Sequence, residues 1–271
     1  MTLTGHQVLQ SSASGSAWVT TTATHGSAPL VPASQTAPPR LIALANVAAQ
    51  PWRNGGGVTR ELLTLAGSPS TGDQPAGQAW RLRLSVAEVE ADGPFSTFAA
   101  VTRWFAVLQG DGVALDIDGT THHLTPGDEP LRFDGAAATR CRLLGGATRD
   151  LNLMLRRRAD GTSAPGAGLF AARAGQSWRP AGAGPCGVYS AQAAQCRCSP
   201  PGDPSSDPSS DPSSDLSSDP SGDRSGDLVV DMPPDTLAWF DRAPAELTLV
   251  ARDAAASFVA CWIFAGQEAA T

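Results

Sequence analysis

No lysine occurs anywhere in this 271-residue chain, so all 19 basic residues are arginines. Without a basic stripe, or a basic run interleaved with aromatics, nucleic-acid binding is not expected. Histidine is almost as scarce: of four, His6 and His25 lie in an N-terminal stretch without apolar periodicity, and His122 and His123 are adjacent. Neighbours on a strand point to opposite faces, so a convergent three-histidine metal centre is not available. The five cysteines are odd in number and irregularly spaced, and "CRC" (Cys196–Cys198) is not a CxxC pair. They suggest reduced thiols rather than a disulfide framework or a zinc site. No apolar run approaches the length of a membrane span and no secretory leader pattern is visible, so a cytoplasmic protein without membrane contact is expected. Neither a phosphate loop (GxxxxGK[ST]) nor a nucleophile elbow (GxSxG) occurs, and no cofactor is implied.

Two stretches are rich instead in residues that cannot build a core. Residues 1–39 are dominated by Ser, Thr, Ala, Gly and Pro, and residues 199–227 place an Asp at every fourth position from Asp203 to Asp227. Neither buries enough apolar area to offset backbone ordering, so both are expected to be disordered. Residues 203–227 contribute −6 to the net charge of −7, which leaves the remainder close to neutral. A long insertion is cheap when it replaces a hairpin loop, so the Asp repeat is expected between two paired strands.

From Arg40 onward the pattern is β. Trp80, Leu82, Leu84 and Val86 alternate with Arg81, Arg83, Ser85 and Ala87, the period of a sheet with one face in the core. Short runs of the same kind, separated by "GDG", "IDGT", "TPGD" and "FDGA", continue to Arg158 and resume after a Gly/Ala/Pro-rich passage. The expectation is an all-β chain: a first barrel at 40–158 and a second, smaller β unit at 159–271.

Three motifs bear on chemistry. "PWRNGGGVTRE" (Pro51–Glu61) reads as a turn, yet three glycines exceed what a turn needs. Glycines also allow close backbone approach and offer amides to an anion. "DGPFSTF" places Phe95 and Phe98 after a turn, as core residues or a pocket wall. In "RDLNLMLRRR", Leu151, Leu153 and Leu155 share one face while Asp150, Asn152, Met154 and Arg156 share the other. Alternation alone assigns that second face to solvent. Glu61 and Asp150 could serve as an acid–base pair, though nothing in the spacing brings them together.

Taken in order, "PWRNGGGVTRE", "W-R-S-AEV-DGPFS", "L-GDG--L-I-G" and "LLGG--RDLN-M-RR" resemble the signature of the HutD/Ves family. The resemblance implies a cupin-like (double-stranded β-helix, jelly-roll) fold of two β-barrel units. For members encoded beside histidine-degradation enzymes it implies a regulatory rather than catalytic role. It marks Trp52, Arg53, Asn54, Gly55, Gly56, Gly57, Thr59, Arg60, Glu61, Phe95, Arg149, Asp150, Asn152 and Met154 as ligand-binding residues. It also turns the Asp150–Arg156 face inward. Arg53 stands where the family often has Lys, and Leu151 where it often has Phe. The partner so implied is a small carboxylate such as urocanate or a formyl- or formimino-glutamate, with Arg149 or Arg60 as its charge partner. An isomerase or hydrolase using Glu61 or Asp150 as base is the alternative, and association into a homodimer is left open.

Overall fold

A computed structural model describes residues 37–67, 80–199, 227–252 and 258–266. The disorder expected of the N-terminal stretch and of the Asp repeat falls on residues 1–36 and 200–226, outside that set. Among the described residues the only helical element is a 3-10 turn, Leu44–Asn46, and no helix is long and apolar enough to cross a membrane. All else is antiparallel sheet.

Four sheets form two sandwiches. In the first, a six-stranded sheet runs in the order Ala49–Pro51, Gly57–Ala66, Trp80–Val89, Thr148–Arg156, Val101–Gln109, Leu131–Asp134. It faces a four-stranded sheet of Gly93–Pro94, Thr139–Leu143, Val113–Ile117 and Thr120–Leu124. In the second, a five-stranded sheet (Arg40–Ala43, Thr236–Phe240, Cys186–Ser190, Ala260–Phe264, Gly168–Ala172) faces a four-stranded one (Ser177–Trp178, Glu246–Ala251, Ala194–Ser199, Leu228–Met232). The fold is cupin-like, but the expected barrels do not close. Each unit is a pair of separate ladders, because among the described residues no strand ladder joins one sheet to the other.

Arg40–Ala43, placed by sequence order at the start of the first barrel, pairs instead with Thr236–Phe240 at the edge of the five-stranded sheet. The chain then passes through the 3-10 turn, held by Leu44 N–H on the Asp235 carbonyl (2.9 Å), into the six-stranded sheet. The first described strand thus straps one sandwich to the other.

Alternation along Trp80–Val89 is real, yet both faces are covered. Leu82, Leu84 and Val86 join Leu151, Leu153, Leu155 and Trp104 in a layer that packs on Leu169, Tyr189, Leu237, Trp239 and Ile263 of the five-stranded sheet. Burying a side chain of this size contributes roughly 1.5–3 kcal/mol, so this shared layer is the main adhesive between the halves. The opposite face looks into the first sandwich, where Ala87, Val89, Phe105 and Val107 meet Val113, Leu115 and Cys141. The second sandwich is filled by Val188, Met232, Phe240, Leu247, Leu249, Trp262 and Phe264. All five cysteines are buried and unpaired as disulfides.

The Asp repeat interrupts a hairpin. Ala194–Ser199 and Leu228–Met232 pair antiparallel from Ala194↔Met232 to Cys198↔Leu228, so the ends of the repeat are held together by ladder bonds.

The triglycine corner closes another hairpin, between Ala49–Pro51 and Gly57–Ala66. Gly55 has φ +71°, a left-handed conformation costly for other residues. Gly57 is needed for a different reason: a Cβ there would sit 2.2 Å from the Glu88 carbonyl oxygen of the neighbouring strand. Gly56 is less constrained, its nearest contact being the Asn54 side chain at 3.5 Å. Gly57→Ala is therefore expected to destabilise by about 2 kcal/mol or more, as overpacked backbone contacts do. Gly56→Ala should stay within about 0.5 kcal/mol. Urea denaturation of the two variants checks the contrast; equal losses would refute this account of the three glycines.

Candidate functional site

Strand register lays three rows of side chains across the inner face of the six-stranded sheet. Thr59, Ala87, Asp150 and Val107 form the first; Glu61, Ser85, Asn152 and Phe105 the second; Thr64, Arg83, Met154 and Arg103 the third. The period of two that places Leu151 and Leu153 against the second sandwich sends Asp150, Asn152 and Met154 inward. In the first row Asp150 and Val107 are sealed in the apolar core, while Thr59 and Ala87 reach the edge of the chamber. Over the second and third rows the facing sheet gives way to loop, and a chamber of about 470 Å³ opens.

Its floor is Arg83, Ser85, Arg103, Asn152 and Met154. The glycine corner contributes Pro51, Trp52, Arg53 and Asn54 to the rim, with Thr59 beneath, and the segment after Gly93–Pro94 supplies Phe95, Ser96 and Phe98. The Trp52 indole N–H donates to Thr59 Oγ1 at 2.7 Å, fixing the ring edge-on to Phe95 at 6.3 Å between centroids.

Arg103 is the unusual group. It is 5% exposed, and its guanidinium sits against the rings of Phe133 (5.1 Å), Phe95 (5.3 Å) and Phe98 (5.9 Å). It donates from Nη2 to Asn152 Oδ1 at 2.9 Å and from Nη1, over a long 3.4 Å, to the Ser96 carbonyl; Nε has no partner among the described residues. Among the described residues no carboxylate lies within ion-pairing distance of it. Burial first, and the neighbouring Arg83 charge second, pull its pKa down to about 10, so it stays cationic at neutral pH. Arg83, by contrast, pairs with Glu61 at 2.9 Å. A buried charge without a counter-charge is costly, and this one borders an open chamber.

The structure gathers seven of the sequence-marked residues around this chamber: Trp52, Arg53, Asn54, Thr59, Phe95, Asn152 and Met154. The others serve elsewhere. Gly55, Gly56 and Gly57 shape the corner from behind. The Gly55 N–H is bonded to the Trp52 carbonyl (3.0 Å) and the Gly56 N–H to Asn54 Oδ1 (3.1 Å), so these two amides are not offered to an anion. Arg149 and Arg60, expected to meet a carboxylate, lie on the opposite face of the sheet. Arg149 reaches Asp235 (2.8 Å) and Glu88 (3.9 Å), and Asp235 also accepts from the Tyr189 hydroxyl (3.0 Å). Arg60 donates to the Val47 carbonyl at 2.7 Å and lies 3.5 Å from Glu88. Glu61 stands on the chamber side, but both its oxygens are engaged, by Arg83 and by the Thr64 hydroxyl.

Asp150 is fully buried, with Thr148 Oγ1 3.3 Å from Oδ2 and no partner for Oδ1. Burial pushes its pKa up to about 8, only partly opposed by the Thr148 hydrogen bond. It belongs to the core beneath the chamber, not to the chamber wall.

Sequence reasoning missed Arg83 and Arg103. A cation inside the apolar run "VTRWFAVL" was the available signal, because a strand buried on both faces has no solvent in which to place an arginine. His122 is half-buried and His123 exposed on the Thr120–Leu124 strand. Among the described residues no three His, Cys, Asp or Glu side chains converge on a metal position, and guanidinium groups do not suit a cation.

Fold and chamber define a cupin-like protein of two antiparallel sandwiches, the first holding a polar chamber floored by arginine and asparagine. Over just under half of its length the chain is similar to the HutD/Ves family. Residues 44–173 match the HutD family model. An uncharacterized 21.2 kDa protein in the hutC 3' region of Pseudomonas putida is 45% identical over 105 residues, 38% of this chain and 51% of that protein. Protein Ves of Citrobacter koseri is 33% identical over 107 residues, 39% of this chain and 52% of the relative. The chain thus spans about half the length of the curated relatives it matches. The solved structure of HutD from Pseudomonas fluorescens shares the fold at 21% identity and a TM-score of 0.58, covering 84% of this chain and 99% of that one.

The buried Asp150 gives a signed pH dependence. Its carboxyl keeps its proton in the folded state up to about pH 8 but loses it near the ordinary 3.8 when unfolded. Its contribution to stability is whole below pH 4 and is lost as pH rises from 4 to 8, by about 1.4 kcal/mol per unit. Asp150→Asn removes that slope. Relative to the native chain, the variant is expected to gain up to roughly 4 kcal/mol between pH 5 and pH 8 in paired denaturation curves. A pH-independent difference would show that Asp150 ionises normally.

Proposed function

We propose that this protein is a non-catalytic receptor for a small organic carboxylate, which adjusts histidine catabolism by binding a pathway acid such as urocanate or a formyl- or formimino-glutamate. The observation that carries the reading is Arg103: a buried, cationic guanidinium at an open chamber, with no carboxylate among the described residues within ion-pairing distance. A ligand carboxylate would supply the missing counter-charge and give Nε an acceptor. Phe95, Phe98, Met154 and Trp52 offer apolar walls for the ligand body, and Asn54 and Asn152 are placed to orient it. The tie to histidine use rests on the match of residues 44–173 to the HutD family model and on the name of the Pseudomonas putida relative, which puts it in the hutC 3' region.

The acid–base alternative draws no support from the geometry. Asp150 does not line the chamber, and Glu61 is committed to Arg83 and Thr64.

Titration calorimetry of the full chain against urocanate, formylglutamate and formiminoglutamate tests the proposal. At least one acid should bind. Arg103→Met should weaken it about 10- to 100-fold, the worth of a charged hydrogen-bond pair, with Arg103→Lys intermediate and the melting temperature unchanged or raised. No heat from any of the three at millimolar concentration would sink the receptor reading.

A further inference from the structure

The chamber holds two guanidinium groups on its floor, and they are not equivalent. Among the described residues Arg103 has no acidic partner, whereas Arg83 is held by Glu61 at 2.9 Å. The two arginines feel each other, since Arg83 is one of the causes that lower the Arg103 pKa. Register explains the arrangement. Arg83 and Arg103 flank Met154 in one row, and Glu61 lies in the next row, opposite Ser85. A bulge between Glu61 and Leu63 sends Leu62 and Leu63 both into the layer between the sandwiches while Glu61 stays on the chamber side. The Thr64 hydroxyl, one turn of the strand further on, fixes its second oxygen.

We propose that Glu61 sets the charge number of the ligand. By neutralising Arg83 it leaves the chamber floor with one uncompensated positive charge, so the site favours a monocarboxylate over a dicarboxylate of the same length. Arg53, at the exposed rim, adds little to this balance because water and salt screen it. A second ligand carboxylate that reaches Arg83 on the chamber floor finds it already paired with Glu61, which stands behind it outside the chamber lining, and must compete with that carboxylate, like charge against like charge. The inference rests on the receptor reading and narrows it: among the histidine-pathway acids it favours a singly charged one.

The probes are pentanoate and glutarate, which differ by one carboxylate, titrated into the full chain by calorimetry. The native chain should bind pentanoate at least as tightly as glutarate. Glu61→Gln keeps the shape and the contact with Thr64 but frees Arg83, and it should shift the glutarate-to-pentanoate affinity ratio about tenfold toward glutarate, the effect of one partly screened charge at close range. Arg83→Met leaves Glu61 unpaired and should shift the ratio the other way, which keeps a second test should the first variant fold poorly. Ratios unchanged within about twofold in both variants, with binding retained, overturn the inference and spare the receptor. Absence of binding of either probe to the native chain overturns both, and binding unaffected by Arg103→Met overturns the receptor reading itself.

Discussion

The whole architecture depends on one sheet being buried on both sides. The six-stranded sheet gives Leu82, Leu84, Val86, Leu151, Leu153 and Leu155 to the seam with the second sandwich and turns every intervening side chain into the first. No face is left for water. Polar residues at the intervening positions must therefore find partners inside the protein, face a cavity, or lose their charge. Each solution appears once: Arg83 pairs with Glu61, Arg103 borders the chamber, and Asp150 holds its proton. The same constraint on the seam face explains the Arg149–Asp235–Tyr189 cluster, where an arginine at the edge of the apolar layer is matched by groups from the other half.

Much of this was legible in the sequence, but unevenly. The all-β class, the strand positions around Trp80–Val89 and Thr148–Arg156, and the glycine corner follow from period two and turn chemistry. That period states which residues share a face; it does not state what covers that face. Reading Arg81, Arg83 and Ser85 as solvent-facing was the natural inference for a sheet with one neighbour, and it fails because a second sandwich packs on the apolar side. Family resemblance turned the Asp150–Arg156 face inward; Asp150, Asn152 and Met154 are buried on that side, whereas Arg156 is only partly so. Arg149 and Arg60 were drawn into the predicted site by the family resemblance, whose motifs include them. Parity separates them from it: Arg149 is one residue from Asp150 and so must point the other way.

Long-range pairing was not legible. Nothing in "RLIA" indicates that Arg40–Ala43 pairs with a strand nearly two hundred residues later. Contiguous sequence suggested contiguous barrels, while the strap crosses between them. Its consequence is mechanical. The chain that forms the chamber rim at Pro51–Asn54 is anchored, a few residues earlier, to the five-stranded sheet through Leu44 and Asp235. Asp235 is at once the acceptor for Tyr189, the partner of Arg149 and the carbonyl that holds the strap, and it adopts a left-handed φ of +51° to do so. Non-glycine residues hold such angles only where the surroundings determine them.

The two sandwiches share a plan but not a filling, and that difference is what opens a polar chamber in one of them. In the second, Trp262, Phe264, Phe240 and Met232 meet across the interior, with Trp178 stacked on Trp262 at 5.3 Å. In the first, the corresponding aromatic mass has moved to the margin: Phe95, Phe98 and Phe133 surround a guanidinium instead of one another. Ring faces offset part of the desolvation cost of that cation without neutralising it. A carboxylate placed there by the protein would have closed the electrostatic account and left nothing to recognise. Aromatic faces do the opposite: they make a buried arginine tolerable beside the chamber without neutralising its charge.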